Sequence, residues 1–502
     1  MSSVLRAVCG ALIVSLSAVP ALAIEPVPAG LSPAAQRAVS LTQSSLLTQV
    51  RQFTVIPTST AAADLAALKT YFEGFGFSVK ELPNLKNLIL SGTLAAAGRA
   101  AHASFSTFTL RGETIVRATP FAFPAAIARR IKATSFVPGA HAHPYFVRPA
   151  LVSLGPPNGY GPADIASIYD ITPVYNAGIT GGTQTVAIAA CSSIALSDLT
   201  AYDQLFGLPS AQLTIVPIDG TSTAQDGEAI LDVERVHATA PGAAIRLYLA
   251  PNCAFNEIID MFTQIAEDAT QYHFAAVSHS YGFNEGDYAA DGLTQSLLDE
   301  SAALAEIGKQ HVPVFAATGD DGSWNDLGIE NATDVSFPAS DPSVLAVGGT
   351  TVEAGTLDTR LFEHGWTGSG GGVSGVFPIP AYQAKTPGLA SGSYKNLPDV
   401  SMLADPFTGV TEVFALGGGT FPIGGTSVSA PTFAGVWTLV ADERAKLNAP
   451  PLPSAASAIY THASTFVDMT AGSNGFYVAK PGYDNVTGLG VPDAARLVNA
   501  LK

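Results

Sequence analysis

The chain has 502 residues, 47% hydrophobic and 13% charged, and its 24 Lys and Arg against 41 Asp and Glu give a formal net charge of −17. This apolar content excludes a mainly disordered chain, because enough surface can be buried to offset the loss of conformational entropy. The negative charge argues against nucleic acid or an anionic membrane surface as a partner, and 48 glycines with 34 prolines argue against coiled coils and long helical bundles.

Residues 1–23 are expected to be a secretory signal peptide rather than part of the fold. A charged start is followed by an apolar run over residues 11–19 and by the sequence PALA, which ends in an A-x-A cleavage pattern. The run is too short to span a bilayer, which disfavours a membrane anchor. We therefore expect a secreted, extracellular protein, or a periplasmic one if the source is bacterial. In such a compartment Cys191 and Cys253 could form one disulfide, and two buried thiols are the alternative.

The next part of the chain is predicted to be a small α+β domain followed by a linker. Helical and strand-like runs occur at residues 61–72, 77–80, 88–90 and 108–110. Residues 133–162 are rich in Pro and Gly and lack a periodicity of 2 or 3.6, which is typical of a linker. We place the small domain at residues 24–140 and the linker at 141–160.

Charge is divided unequally along the chain. Residues 1–154 carry 13 Lys and Arg against 5 Asp and Glu, and residues 155–502 carry 11 against 36, so the net charges are +8 and −25. This asymmetry indicates a basic N-terminal segment lying on an acidic partner domain. Two domains with unrelated compositions are the alternative.

Residues 161–502 alternate between short apolar strands and amphipathic helices. The predicted strands are 185–190, 214–218, 245–250, 274–278 and 312–317, and the predicted helices are 196–206, 227–238, 256–270 and 294–309. This order predicts a doubly wound, mostly parallel α/β sheet. Functional sites in such sheets lie beyond the carboxyl ends of the strands.

Three short motifs carry candidate chemistry. Ser427, in GGTSVSAP, begins a helical run after a glycine turn, where a hydroxyl is exposed and negative charge is favoured. Glu228 and Asp232 are four residues apart, so they share one helix face and cannot both ionise easily. Asp320 follows Gly319 at the end of a predicted strand. Taken singly, an ordinary helix cap, a solvated acidic helix face and a plain β-turn are the alternatives.

These residues suggest catalysis by carboxyl groups rather than by histidine. A serine nucleophile needs a base, but no histidine of the second domain lies in a sequence context typical of a Ser-His-Asp triad. A glutamate can act as the base, and a protonated carboxylic acid can donate a hydrogen bond to an oxyanion. Together, Glu228, Asp232, Asp320 and Ser427 make chemical sense only in acidic solution.

From about residue 160 to the C-terminus the chain resembles the sedolisins, or serine-carboxyl peptidases, which are secreted, acid-active relatives of subtilisin with a glutamate in place of the histidine. The motifs that carry the resemblance are Gly227–Glu234, Ser278–Glu285, Thr318–Gly322, Phe337–Pro342, Val347–Thr350, Ser369–Ser374, Leu397–Ser401 and Gly425–Pro431. The resemblance implies a subtilisin-like fold in residues 161–502 and serine-type peptidase activity.

The resemblance also implies a role for each candidate residue. Ser427 is the expected nucleophile, Glu228 its general base, and Asp232 the residue that orients and tunes Glu228. Asp320 takes the oxyanion position, where subtilisin relatives use asparagine, and Asp321 is a less favoured alternative. The expected substrate-aligning segments face each other across the cleft; they contain Ser278, Ser280, Tyr281 and Gly282 on one side and Gly370, Gly371 and Gly372 on the other.

Residues 466–490 resemble the family's C-terminal calcium loop, which would hold one Ca²⁺. Oxygen ligands suit this hard cation, and the expected ligands are the carboxylates of Asp468 and Asp484 and the carbonyls of Met469, Lys480 and Gly482. Lys480 departs from the glycine often found at this position, and its charge could weaken the site.

Residues 24–140 would then be an activation prodomain that assists folding and inhibits the enzyme until acid removes it. Attraction between the two charged parts should decrease as carboxylates protonate near pH 4, which predicts release in acid. The sequence thus predicts a secreted acid endopeptidase, made as a zymogen, that acts on polypeptides. A tripeptidyl exopeptidase of the same family and an inactive calcium-binding relative are the alternatives.

Overall fold

The computed structural model describes residues 46–110, 113–145, 156, 158–222, 224–324, 333–354 and 360–502. The expected signal peptide lies outside these residues. Within them, no helix combines the length and the apolar character needed to cross a bilayer.

The N-terminal part of the described chain is an α+β unit, as predicted. Its strands are β1 (Val50–Pro57), β2 (Ser78–Glu81), β3 (Leu88–Thr93), β4 (Phe105–Leu110), β5 (Glu113–Ala118) and β6 (Ile131–Thr134), and its helices are α1 (Ala62–Glu73), α2 (Leu94–Ala101) and α3 (Ala125–Ala128). An antiparallel sheet in the order β2-β3-β1-β6 forms one layer, and β4 and β5 form a hairpin. Phe53, Phe72, Phe77 and Phe136 pack edge to face or stacked in its core.

The second part is built on a sheet of mostly parallel strands, which confirms the predicted fold class. The sheet strands are β8 (Thr185–Ala190), β9 (Gln212–Pro217), β10 (Ala244–Leu249), β11 (Ala276–His279), β13 (Val314–Ala317), β15 (Val344–Ala354), β16 (Arg360–Gly365) and β19 (Val400–Leu403). Their order is β16-β15-β13-β11-β8-β10-β9, with β19 also paired to β15. Only β16 runs antiparallel to its neighbour among these described strands.

Helices cover this sheet because its strands are apolar on both faces. The helices are α4 (Pro162–Ile168), α5 (Thr172–Asn176), α6 (Leu196–Phe206), α7 (Glu228–Thr239), α8 (Phe255–Tyr272), α9 (Glu285–Ala290), α10 (Thr294–Lys309), α11 (Thr426–Lys446), α12 (Ala455–Thr461) and α13 (Ala494–Leu501). Every residue of α7 is buried, and so is α11 from Thr426 to Val440. The starts of α7 and α11 are therefore rigidly held.

Short strands complete the fold around the carboxyl edge of the central sheet. They are β7 (His143–Pro144), β12 (Tyr281–Asn284), β14 (Ser336–Phe337), β17 (Gly372–Pro378), β18 (Tyr394–Leu397), β20 (Val410–Phe414), β21 (Gly419–Ile423), β22 (Phe466–Val467) and β23 (Val491–Pro492). Among them β14, β12 and β7 form one antiparallel sheet. It links the end of the N-terminal part to the second part.

The predicted linker contains more structure than its composition indicates. Ile131–Thr134 extends the N-terminal sheet as β6, and His143–Pro144 pairs with Tyr281 and Gly282. A two-residue strand has no periodicity of its own and exists only through pairing, so the sequence carried no signal for it. Residues 146–155, where the expected linker continues, lie outside the described part.

Cys191 and Cys253 form a disulfide, with their Cα atoms 5.2 Å apart. This outcome settles the alternative between one disulfide and two thiols. The Cys253 carbonyl accepts a hydrogen bond from the Ala142 backbone N–H at 2.9 Å. The disulfide therefore lies beside the segment that leads into β7.

Polar contacts join the N-terminal part to the acidic part. The Glu267 carboxylate accepts hydrogen bonds from the backbone N–H groups of Asn84 and Leu85, at 2.7 and 2.8 Å. The Lys132 ammonium lies 2.8 Å from the Glu306 carboxylate. The basic segment thus meets acidic side chains, as the charge asymmetry predicted.

Candidate active site

The acidic pair lies at the buried start of α7. Gly227 adopts φ = +101°, a conformation that favours glycine, and turns the chain into the helix. The Asp226 carboxylate accepts the Glu228 backbone N–H at 2.9 Å and so caps this first turn. Glu228 and Asp232 are both fully buried, so the alternative of a solvated acidic face is wrong.

Burial makes ionisation of this pair difficult. Loss of water raises the pKa of both carboxyls well above their ordinary values, and the neighbouring Asp232 raises that of Glu228 further. The Ser280 hydroxyl donates to Asp232 Oδ1 at 2.6 Å and opposes part of the rise at Asp232. The pair therefore retains a proton well above the pH at which a solvated carboxyl loses it.

Ser427 lies one residue inside the N-terminus of α11. Gly425, at φ = +124°, makes the turn that precedes it. The Ser427 hydroxyl is buried, 3.4 Å from the Ser280 carbonyl, and it lowers the pKa of Glu228, although burial dominates. Within the described residues neither Glu228 oxygen has a hydrogen-bonding partner. Ser427 is thus near enough to influence Glu228, but no hydrogen bond joins the two side chains while the Tyr145 segment lies against Ser427.

Asp320 is held at the carboxyl end of β13. Its Oδ1 accepts hydrogen bonds from the Thr426 backbone N–H and hydroxyl, at 2.7 and 2.9 Å. Its Oδ2 is buried and has no partner within the described part of the chain. Burial raises the pKa of Asp320 to about 7. In acid this carboxyl is protonated and can donate a hydrogen bond from Oδ2.

Thr426 holds Asp320 in place, a contact that the motifs did not predict. Its hydroxyl accepts the Gly319 backbone N–H at 3.0 Å and donates to Asp320, so it fixes the turn that presents the carboxyl. Its position directly before Ser427 was the available signal. The partner, however, lies 106 residues away along the chain.

The expected aligning segment at Ser280–Gly282 is in contact with an extended chain. Gly282 and Tyr281 pair with His143 and Pro144, and the Ser280 carbonyl accepts the Tyr145 backbone N–H at 3.1 Å. The Tyr145 carbonyl in turn accepts the Ser427 backbone N–H at 2.9 Å. The sequence offered no signal for Tyr145 at this position.

The side chains of Ser278 and Tyr281, which were also expected to align the substrate, are buried. Ser278 is fully buried within β11, and its hydroxyl has no partner among the described residues. The Tyr281 side chain is also buried, with its hydroxyl 3.2 Å from that of Ser192. Both side chains therefore support the wall of the site rather than reach the docked chain.

The glycines at 370–372 pack the backbone closely behind Asp320. The Gly370 backbone N–H donates to the Gly319 carbonyl at 2.8 Å, and a Cβ at Gly370 would overlap the Thr318 carbonyl. A Cβ at Gly371 would overlap the Asn485 carbonyl, and Gly372 pairs with Leu397. This segment braces the Asp320 turn.

His279 is the histidine nearest to this site along the chain, and its ring is turned into the core. Its Nδ1 lies 2.9 Å from the Ala189 carbonyl, and its ring contacts Phe262. Burial lowers the pKa of His279 to about 4. This environment favours the neutral ring and supports catalysis by carboxyl groups.

The expected calcium ligands lie in one loop, where both carboxylates accept backbone hydrogen bonds. Asp468 Oδ2 accepts the Gly482 backbone N–H at 2.8 Å, and Asp484 Oδ2 accepts that of Lys480 at 2.9 Å. The Lys480 ammonium is bonded to the Gly388 carbonyl at 2.9 Å. No group of three or more His, Cys, Asp or Glu side chains that could hold a metal occurs in the described part. The donor set nonetheless suits Ca²⁺, since carbonyl oxygens can complete the coordination of two carboxylates.

Comparisons with known proteins show the family and the fold. Residues 209–488 match the model of the subtilase family. The chain is 34% identical to kumamolisin from Bacillus sp. (strain MN-32) over 69% of this chain and 64% of that protein, and 28% identical to human tripeptidyl-peptidase 1 over 76% and 72%. The solved structure of Pseudomonas sedolisin, a serine-carboxyl proteinase complexed with pseudo-iodotyrostatin, matches with a TM-score of 0.60 at 28% identity, over 69% of this chain and 98% of that one.

The match to the first relatives is partial in length. It spans 64% of kumamolisin and 62% of sedolisin from Pseudomonas sp. (strain 101), to which this chain is 28% identical.

Burial of Asp320 predicts a loss of stability as the pH rises. A carboxyl whose pKa is higher in the folded than in the unfolded state stabilises the fold fully while the pH lies below its pKa in the unfolded chain. This contribution is lost as the pH rises through its pKa in the folded state. With a pKa of about 7 for Asp320, we expect this group alone to lower the free energy of unfolding by about 2–3 kcal/mol between about pH 5 and about pH 8.

Denaturant titrations at the two pH values measure this difference. In Asp320→Asn the free energy of unfolding should fall less with pH than in wild type. In Glu73→Gln, at an exposed carboxylate, it should fall as much as in wild type. An equally steep fall in Asp320→Asn would contradict a buried, protonated Asp320.

Proposed function

The chain belongs to the sedolisin group of the subtilase family, and we propose that it is an acid-active serine-carboxyl endopeptidase made as a zymogen. One observation carries the proposal. The backbone N–H of Ser427 already holds the carbonyl of an extended chain at 2.9 Å, and carboxyl groups with raised pKa values surround the same serine.

In the proposed reaction Ser427 is the nucleophile. Its Oγ attacks the carbonyl carbon of the peptide bond while Glu228 accepts its proton, with Asp232 holding Glu228 in place. The oxyanion is stabilised by the Ser427 backbone N–H and by the proton on Asp320 Oδ2. Glu228 then protonates the leaving amine, and water hydrolyses the acyl-enzyme by the same steps.

These roles require acid. Asp320 can donate only while it is protonated, and this condition fails as the pH rises through about 7. Burial also disfavours two charges at Glu228 and Asp232, so this pair retains a proton well above the pH at which solvated carboxyls lose theirs. Rising pH therefore removes the oxyanion donor.

The docked segment favours an endopeptidase over the tripeptidyl alternative. A tripeptidyl enzyme requires a cleft that is closed a few residues before the cleaved bond. Here the chain that enters the cleft continues to Ala142 and His141, which bond to Cys253 and bridge to Ala254. The inactive-relative alternative is disfavoured because Ser427, Glu228, Asp232 and Asp320 are all present.

We assign residues 24–140 to the prodomain, 141–160 to the linker and 161–502 to the peptidase domain, in a secreted protein. The Cys191–Cys253 disulfide supports an oxidising compartment. The prodomain acts as an intramolecular inhibitor, since the segment that follows it occupies the cleft.

Interface charges do not all favour release in acid. Burial alone would raise the pKa of Glu306, but Lys132 and Lys309 lower it, so this attraction is lost as the pH falls. Burial raises the pKa of Asp299 to about 7, although hydrogen bonds with Gln295 and Thr134 lower it, and this group opposes release while it stays protonated. We therefore assign the acid trigger to the cleavage chemistry, with dissociation of the prodomain following cleavage.

We also propose that the loop at 466–490 binds one Ca²⁺. The carboxylates of Asp468 and Asp484 and the carbonyls of Met469, Lys480 and Gly482 would hold the ion. Its contribution would be structural, because binding to the folded chain alone shifts the folding equilibrium.

Substitution at the active site tests the proposed function. Ser427→Ala and Glu228→Gln should each lower the rate of acid cleavage of a denatured protein by at least about 10³-fold, because residues that act as a unit fail together. Ser457→Ala, at an exposed serine, is the matched control and should retain full activity. Wild-type rates in either active-site variant would contradict the assignment.

Thermal unfolding tests the calcium site. At about 100 times its dissociation constant, Ca²⁺ should stabilise the chain by about 2.7 kcal/mol, and a chelator should reverse the effect. Asp468→Asn retains an acceptor for Gly482 and should lose the response to Ca²⁺. The same response in wild type and Asp468→Asn, or an equal response to Mg²⁺, would contradict the proposed site.

A further inference from the structure

The described end of the N-terminal segment lies in the cleft in the manner of a substrate. His143 and Pro144 form an antiparallel ladder with β12, the Tyr145 N–H bonds to Ser280, and the Tyr145 carbonyl bonds to the Ser427 N–H. The Tyr145 carbonyl is therefore held by the nucleophile Ser427, and the Tyr145 N–H by Ser280, between β11 and β12. This places the Tyr145 carbonyl at the proposed oxyanion position.

The side chain of Tyr145 is held as specifically as its backbone. Its hydroxyl is 2.5 Å from the Ser336 hydroxyl. Its ring lies against Gly282, where a Cβ would come within 2.6 Å of ring carbon Cε2 and of the phenolic oxygen. The absence of a side chain at Gly282 therefore leaves room for the ring, and Ser336 forms a hydrogen bond with the hydroxyl at its end.

We propose that the pocket formed by Gly282 and Ser336 selects tyrosine on the acyl side of the cleaved bond, with Ser336 as the specificity-determining residue. This inference rests on the proposed function. The first bond cleaved during activation is then Tyr145–Phe146. Cleavage here leaves β7 and Tyr145 with the prodomain, and the peptidase begins at Phe146.

The step balances without any further reactant than water. Ser427 Oγ bonds to the Tyr145 carbonyl carbon, and the C–N bond to residue 146 breaks. The serine proton passes through Glu228 to the departing amine. Water then hydrolyses the ester, which leaves a carboxyl group on Tyr145 and restores the Ser427 hydroxyl.

The full-length precursor tests the cleavage position. Early products formed at about pH 4, where solvated carboxyls titrate, are sequenced from their N-termini, and we expect the peptidase to begin at Phe146. Tyr145→Phe removes only the hydroxyl and should slow processing about fivefold, the value of one hydrogen bond. Tyr394→Phe, at an exposed tyrosine, is the matched control and should process as wild type does.

Peptides test the pocket separately. Two peptides that differ only by Tyr or Phe before the cleaved bond are compared with the activated enzyme, and wild type should favour Tyr about fivefold in kcat/KM. In Ser336→Ala the ratio should fall to about one. In Gly282→Ala both peptides should be cleaved more slowly than a third peptide that has Ala before the cleaved bond. The methyl group added at residue 282 fills the space that the aromatic ring needs.

The outcomes separate the two proposals. Processing at Phe146 together with a Tyr preference that Ser336→Ala abolishes supports the inference. A first cleavage elsewhere, or a wild-type ratio near one, overturns it and leaves the peptidase function intact when cleavage still requires Ser427. Absence of Ser427-dependent cleavage of precursor and peptides overturns the proposed function as well.

Discussion

Burial of carboxyl groups beside a serine, with no cation among the described residues to balance them, is the constraint on which this site depends. The influences on the pKa values of Glu228, Asp232 and Asp320 come from burial, hydroxyls, a backbone N–H and other carboxyls within the described residues. Each group therefore retains its proton more strongly than it would in water. A protonated carboxyl can donate a hydrogen bond, and a partly protonated pair can both accept and return a proton.

The fold maintains this arrangement by anchoring it to buried helix starts and strand ends. Glu228 is the first residue of α7 and Ser427 the second of α11, and these helices pack together and against the sheet. Asp320 lies in the turn that follows β13. Thr426 joins two of these elements because it precedes the nucleophile and also holds Asp320. The docked segment reaches the same place, because β7 pairs with β12 and Tyr145 bonds to Ser280 and Ser427.

The parts that the sequence predicted are those with local signals. Alternation of apolar runs predicted the parallel sheet, and the spacing of Glu228 and Asp232 predicted their common helix face. The contacts of Thr426, Tyr145 and Ser336 join residues at least 106 positions apart. Such contacts arise from tertiary packing and leave no periodic pattern. The composition of the predicted linker gave no sign of β7 for the same reason, since β7 is a strand only because it pairs with β12.

The pH dependence of kcat/KM in the activated enzyme and in Asp320→Asn tests the central claim most directly. The account predicts that wild-type kcat/KM falls as the pH rises through about 7, because Asp320 stops donating to the oxyanion. The amide in Asp320→Asn donates at every pH, so the advantage of wild type should be confined to acid and should disappear above this range. Two profiles that fall together, at the same pH and by the same factor, would contradict the account.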